Sequence, residues 1–288
     1  DWSEIDLEAM PPDFIPATAY QPNRDNPSLN YDAGYPRVTS GSTESHALKF
    51  RIAWRRMAAT TGFRTIYPSV VPPKATHLFT LHSGSSENPS TIPLVGAAAS
   101  SILVDFMQRS SGIADILGAT FANLPQVPFS RIGKAASVRF TRLIALTSAY
   151  APLWEEVTGT EWTSEVPLRK AEERRKAQVE IDALVALSLG VTADELCMIY
   201  RTQFPVMRKY DSQDLFDANG RKVADDVAKL HRKLKPGQEL SQEDRTWTHP
   251  QSGATYVFEY PFRILDREAD MRAAYERFER ELAEGTLQ

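Results

Sequence analysis

The sequence predicts an α+β protein: a short mixed or antiparallel sheet with packed helices over residues 35–150, then a mainly helical region over 151–288. Three observations carry that expectation. Apolar and polar residues alternate around residues 49–55 and over 254–262, the period of half-buried strands. Longer stretches at 134–149, 168–189 and 266–284 repeat apolar residues at helical spacing. The composition, 42% hydrophobic and 24% charged over 288 residues, is that of a globular chain that buries a core without a disulfide or metal staple.

Residues 1–34 read as a proline-rich crossover arm, and the irregular character continues to residue 42. Pro11, Pro12, Pro16, Pro22, Pro27 and Pro36 leave no uninterrupted helix. Phe14, Tyr20, Leu29, Tyr31 and Tyr35 give the arm anchors, so it is expected to lie over a neighbouring surface. Next, Phe50, Ile52 and Trp54 alternate with Lys49, Arg51 and Arg55, which suggests a strand with one apolar and one basic face, with a helix as the rival reading because alanines follow Trp54. Residues 64–71 and 76–81 are two further strands, and the SGSSENPS run at 83–90 is a surface loop by composition.

The longest apolar run, residues 94–109, reads as one buried helix ending near Ser110–Gly112. Gly96, Ala97, Ala98, Ala99 and Ser100 on it permit close packing against another backbone. ATFANLPQVPF is a strand or extended loop, 134–149 a helix, and Trp154 and Trp162 lie in a weakly structured link. The 168–189 helix stops at Gly190. Thr192 and Glu195 have the spacing of a capping box, so another helix begins there and buries Leu196, Ile199 and Cys197. A short helix carries Val223, Val227, Leu230 and Leu234, residues 254–262 form a strand, and 266–284 end the chain as an amphipathic helix.

The chemistry-bearing motifs are mostly absent. There is no glycine-rich phosphate loop, no G-x-S-x-G serine elbow and no H-E-x-x-H pair. A single cysteine, Cys197, excludes an internal disulfide framework and any multi-cysteine metal site. His77 and His82, five apart, read as polar surface before they read as metal ligands. No run reaches the roughly 18 apolar residues of a membrane span, and the start lacks a signal-peptide layout, so a cytoplasmic location without membrane attachment is expected.

Charge is distributed unevenly. The net charge is −4, yet residues 35–150 hold twelve Arg or Lys against four Asp or Glu, whereas 1–34 hold one against seven. A local field of this kind concentrates a phosphate backbone even on an acidic protein. Lys49, Arg51, Arg55, Arg56, Arg64 and Lys74 lie on or beside the expected strands, and Arg131 and Lys134 extend the series, together with Arg109, Arg139 and Arg142. Lys209 and Arg232 belong to a second basic stretch at 208–249. Arginine suits guanine through its two-pronged fork, and lysine serves as a less directional phosphate partner.

Three segments in order carry a family likeness. RIAWRRMAATTGFRTIYPSVVPP (51–73), the apolar helix with its following turn and proline (94–129), and the helical stretch ending FPVMRK (169–209) resemble the region after the catalytic domain in large adenine-N6 DNA methyltransferases. These include fused restriction–modification enzymes and the related BREX and DISARM phage-defence methylases. The resemblance implies a target-recognition region that reads double-stranded DNA. It also implies an upstream domain that binds S-adenosylmethionine and methylates a flipped adenine, and further defence-system subunits as possible partners. This chain departs from that whole: its nearest match to the catalytic Asn/Asp-Pro-Pro-Tyr/Phe loop is MPPDF at 10–14, with Met10 ahead and Asp13 intervening. The chain itself is therefore expected to be non-catalytic, to hold no cofactor, and to be the C-terminal part of a longer enzyme. Two other readings stand beside it: an interaction module docking through the 94–109 helix and the arm, and a hydrolase with a site assembled from distant residues.

Overall fold

The computed structural model describes residues 4–15, 35–37, 44–59 and 61–287. The protein is α+β, with two small antiparallel sheets. Strands β1 (Arg51–Arg55), β2 (Pro68–Val71) and β3 (Leu81–Ser85) form the larger one in the order β2-β1-β3. Among the described residues ten helices follow: α1 (Thr91–Ser100), α2 (Ile102–Ser110), α3 (Gly118–Ala122), α4 (Gly133–Ile144), α5 (Ala151–Thr158), α6 (Ala171–Leu189), α7 (Ala193–Gln203), α8 (Pro205–Asp211), α9 (Asp225–His231) and α10 (Arg267–Glu284). Strands β4 (Thr246–Thr248) and β5 (Thr255–Val257) make a two-stranded ribbon between α9 and α10.

Helix α6 is the axis of the molecule. Ile181, Ala183, Leu184 and Val185 on it are fully buried, each large side chain removing about 1.5–3 kcal/mol worth of apolar surface from water. Helices α4 and α10 lie against it, and one continuous core runs from Ile52 and Trp54 of the sheet through α1, α2 and α4 to Met271 and Phe278 of α10. Residues 35–150 and 151–288 thus share their hydrophobic interior. A second cluster, Leu215, Val223, Val227, Ala228 and Phe258, closes the C-terminal ribbon.

Several ends follow local rules. Gly159, Gly190 and Gly285 close α5, α6 and α10 in the left-handed conformation. Thr192 and Glu195 form the reciprocal capping box that opens α7, which buries Leu196 and Cys197. Other boundaries differ from the sequence reading. The 94–109 stretch is two helices bent by 65° rather than one. The break is at Ser101, whose extended backbone (φ −76°, ψ 149°) starts a new helix and whose Oγ accepts from Val104 N–H. Asp182 of α6 accepts from Ile102 N–H at 2.8 Å, satisfying another donor of that buried first turn. Ile102, Leu103 and Val104 are buried in the protein's own core, while Met107 on the same stretch is exposed. No single helix among the described residues is long and apolar enough to cross a membrane.

The expected strand at 64–71 is shortened to Pro68–Val71, because Thr65 and Ile66 N–H donate to Asp105 Oδ1 at 2.8 and 2.7 Å instead of to a neighbouring strand. The third strand lies at Leu81–Ser85, not 76–81, and takes in part of the expected loop; its sequence LHSGS lacks apolar alternation because it is a sheet edge. Residues 118–122 form a helical turn that presses Phe121 flat on Trp54, ring centres 3.8 Å apart. Trp154 lies in α5, started by Pro152, and is buried. In the C-terminal ribbon only Thr255–Val257 of the expected 254–262 strand is paired.

Most of the proline-rich arm, with Tyr20, Leu29 and Tyr31, lies outside the described residues. The described segment at 4–15 crosses the C-terminal half. Asp6 accepts from Ser252 Oγ and Tyr256 Oη, Glu8 pairs with Arg221 at 2.7 Å, and Leu7 C=O accepts from Arg169.

Candidate nucleic-acid interface

Antiparallel pairing sorts the side chains of the three-stranded sheet by face. Residues directly opposite share a face, so Ile52 and Trp54 point to the core, while Arg51, Ala53 and Arg55 lie with Ser85, Ser83 and Leu81 on the other side. The alternation expected from the sequence therefore holds. The basic face is not open along its length, however. The 3-10 turn His46–Leu48 and the turn after β2 fold over it, tied together by Lys74 N–H donating to Ala47 C=O at 2.7 Å.

Beneath that cover lies a groove of 440 Å³ along edge strand β3. Tyr35, Pro36 and His46 line one part of it, His77, Phe79 and His82 another, and Leu81, Ser83, Gly84 and Ser85 of β3 with Arg51 complete it. Among the described residues its lining has no carboxylate. Arg51 is 1% exposed. One of its nitrogens, Nη2, donates to Ala75 C=O and its guanidinium lies 5.0 Å from the Tyr35 ring centre, while Nε and Nη1 have no hydrogen-bond partner. Buried donors without acceptors cost about 1–3 kcal/mol each. His46 Nδ1 meets Ser85 Oγ, and His77 Nε2 meets Ser83 Oγ at 2.8 Å. His82 Nε2 is buried and unpartnered. The arrangement is a concentration of donors facing no protein anion.

Around this groove the sequence-predicted cations divide. Arg55 is exposed at the end of β1 and Lys74 is exposed on the covering turn, its backbone held at φ 67°; neither has an ion-pair partner among the described residues. Lys49 pairs with Glu44 at 2.9 Å. Arg56 grips Asp115 through Nε and Nη2, both at 2.7 Å, and lies 4.5 Å from the Phe79 ring centre. That hydrogen bond to Arg56 outweighs desolvation and holds the Asp115 carboxyl below its ordinary value.

Two of the expected DNA contacts are buried side chains. Arg51 lies under the groove, as described, and Arg64 is 7% exposed. The Arg64 guanidinium sits 3.5 Å from Asp182 and also acts on Asp105, two carboxyls whose burial pushes them up from the ordinary value against the pull of the arginine. Arg64 therefore compensates buried charge; it does not face solvent. Arg109 likewise donates to Gln203 and Gly62 carbonyls and approaches Asp105 at 3.7 Å, and Arg139 pairs with Glu180 at 2.6 Å. The surplus of residues 35–150 is thus partly neutralised inside the protein and does not form one continuous outward surface.

The remaining candidates lie elsewhere in the fold. Arg131 and Lys134 are exposed at the start of α4, where Arg131 reaches Leu282 C=O of α10. Lys209 is exposed on α8, and Arg232 donates to Gln213 C=O at 2.7 Å beyond α9. A second cleft, 610 Å³ between the N-terminal segment and α6, is lined by both signs of charge, with Arg169, Arg174 and Arg221 beside Asp6, Glu8 and Asp211. It is a salt-bridged seam. Among the described residues no group of three or more His, Cys, Asp or Glu is placed to hold a metal ion.

Sequence reasoning named Arg51 but missed its neighbours. His46, Ser83, Ser85 and Phe79 carry no motif; only the register of β1 against β3 and the fold-back of two turns bring them to one place. His77 and His82 stood out by spacing, but their meaning depends on the groove they line. No family model, curated protein or solved structure matches the chain.

Proposed function

We propose that this chain recognises double-stranded DNA as the C-terminal part of an adenine-N6 DNA methyltransferase from a restriction or phage-defence system. In this reading it works in the cytoplasm beside an upstream domain that supplies S-adenosylmethionine and the methyl-transfer chemistry, and beside any further subunits of the system. The observation that carries the reading is the carboxylate-free groove along β3, flanked by the exposed side chains of Arg55 and Lys74. With a net charge of −4, the protein as a whole repels a polyanion; attraction must come from a local field. Arg55 and Lys74 supply it without carboxylate competition, whereas Arg56 must first be released from Asp115. The ordered likeness of residues 51–209 to methyltransferase recognition regions supplies the context.

Fluorescence anisotropy on a labelled duplex between about 50 and 200 mM salt tests it. The logarithm of affinity is expected to fall linearly with that of salt, and Arg55→Ala and Lys74→Ala each lower the slope by about 0.9, one phosphate contact apiece. Arg56→Ala has a smaller effect. Absence of duplex binding at the lowest salt, or slopes unchanged in both variants, refutes the reading.

A further inference from the structure

The unpartnered nitrogens of Arg51 ask for an anion, and the walls of the groove narrow what kind. We propose that the groove is a nucleoside-monophosphate site, in which the phosphate takes the Arg51 end and the base lies on Phe79. This deepens the reading above and rests on it only in assigning the groove to nucleic-acid recognition.

Arg51 cannot turn away to find water. Its Nη2 is committed to Ala75 C=O and its plane is held near Tyr35, so Nε and Nη1 remain as fixed donors. Two hydroxyls, Ser83 and Ser85, lie on the same face of the sheet as Arg51. Each is engaged by a ring, His77 or His46, and a hydroxyl can donate to a phosphate oxygen while accepting from an imidazole N–H. For His77 the tautomer is set by its other nitrogen: Nδ1 lies 3.1 Å from the Leu78 carbonyl, which only accepts, so Nδ1 carries the proton, Nε2 of the neutral ring accepts from Ser83 Oγ, and Ser85 is the hydroxyl left to donate. Two arginine nitrogens and the Ser85 hydroxyl, with no carboxylate among the described residues of the lining, make a phosphate-directed donor set. Of the described acids in this half of the protein, Glu44 is paired with Lys49 and Asp115 with Arg56.

Specificity for a nucleotide over bare phosphate comes from Phe79. Its ring is 69% exposed, an unusual state for phenylalanine, and it is flanked by the Arg56 guanidinium and the His82 ring. A base stacking there gains the aromatic and cation contacts typical of single-strand binding sites, about 1–3 kcal/mol per base. The groove volume of 440 Å³ falls in the range that holds a small ligand. A base inside an intact helix cannot reach such a platform, so the ligand is an unpaired or extruded nucleotide, or a free mononucleotide.

The test is calorimetric titration of the full chain with inorganic phosphate, dAMP, and a 5′-phosphorylated single-stranded oligonucleotide, with duplex affinity measured in parallel. We expect dAMP to bind at least tenfold more tightly than phosphate, and Phe79→Ala to reduce it to the phosphate level. Ser83→Asp places a carboxylate on the Arg51 face of the edge strand, two residues from the position opposite Arg51; it should abolish binding of all three ligands while leaving the melting temperature unchanged or raised. Arg51→Met should also abolish binding, and Ser83→Asp keeps the test valid where loss of Arg51 impairs folding. Oligonucleotide binding stronger than dAMP identifies a strand as the source; equal binding identifies the free nucleotide. If dAMP binds no better than phosphate, or Ser83→Asp leaves binding intact, the proposal fails even where duplex affinity persists. Nucleotide binding without duplex affinity sustains the site and overturns the duplex reading instead.

Discussion

Substituting Gly96 by alanine sets two physical effects against each other at one atom. Gly96 is buried in the middle of α1, where alanine improves helix propensity by about 1 kcal/mol. The added Cβ, however, would lie 2.1 Å from Cε1, 2.2 Å from Cζ and 2.8 Å from Cδ1 of Phe140 on α4. Carbon atoms in contact sit near 3.5 Å or more, so the ring must retreat by roughly 1.4 Å. Phe140 is 2% exposed and belongs to the continuous core, leaving the ring no free volume to enter. Overpacking of this kind costs about 1–3 kcal/mol, and the size of the required shift places the cost in the upper part of that range. Gly96→Ala is therefore expected to destabilise by about 1–2 kcal/mol net. Urea unfolding should show a lower midpoint with an unchanged slope. The mechanism is checked by Phe140→Leu, which shortens the ring side chain. The double variant should be more stable than the sum of the two single losses by at least about 1 kcal/mol. A neutral or stabilised Gly96→Ala, or strict additivity with Phe140→Leu, would show that helix propensity decides this position and that the close crossing of α1 and α4 does not.

Two further outcomes concern charges inside the molecule. Burial alone would raise the Glu180 carboxyl, but hydrogen bonds from Arg277 at 2.8 Å and Arg139 at 2.6 Å hold it below its ordinary value. Its stabilisation is therefore present above the unfolded carboxyl value of 4.5 and is lost as pH falls through the lower folded value. Glu180→Gln should cost about 2 kcal/mol near pH 7, with the gap between variant and parent in thermal melts closing below that window. Arg64→Met shows the same direction of pH dependence for a different reason. It strips compensation from Asp105 and Asp182, whose burial already raises them, so the folded state comes to prefer their protonated forms. The loss, about 3–5 kcal/mol at pH 7, should shrink as pH is lowered towards 4, measured by urea midpoints at each pH. A variant of Arg64 that keeps full stability at neutral pH would contradict the interior role assigned to it.

Local chemistry in the sequence determined where the helices stop and start: Gly190 and Gly285 tolerate the left-handed backbone, and Thr192 with Glu195 satisfies the first N–H groups of α7. The same nearest-neighbour reasoning found the helices at 168–189 and 266–284 and the two-faced strand at 51–55, because periodicity records which side meets the core. The small residues around Gly96 announced a close crossing, though not that Phe140 fills it. Tertiary structure decided what the charges do. Arg51 and Arg55 look equivalent in an alternating strand, yet one is sealed under a turn and the other is exposed, since the cover comes from residues 46–48 and 74–77 folding back. Arg64 looked like a member of a basic patch and proved to be an interior counter-charge, since Asp182 reaches it from 118 positions away along the chain. A charged side chain's role depends on which opposite charge, or which absence of one, the fold brings within a few ångströms, and that is set by contacts too distant in sequence for any local pattern to record.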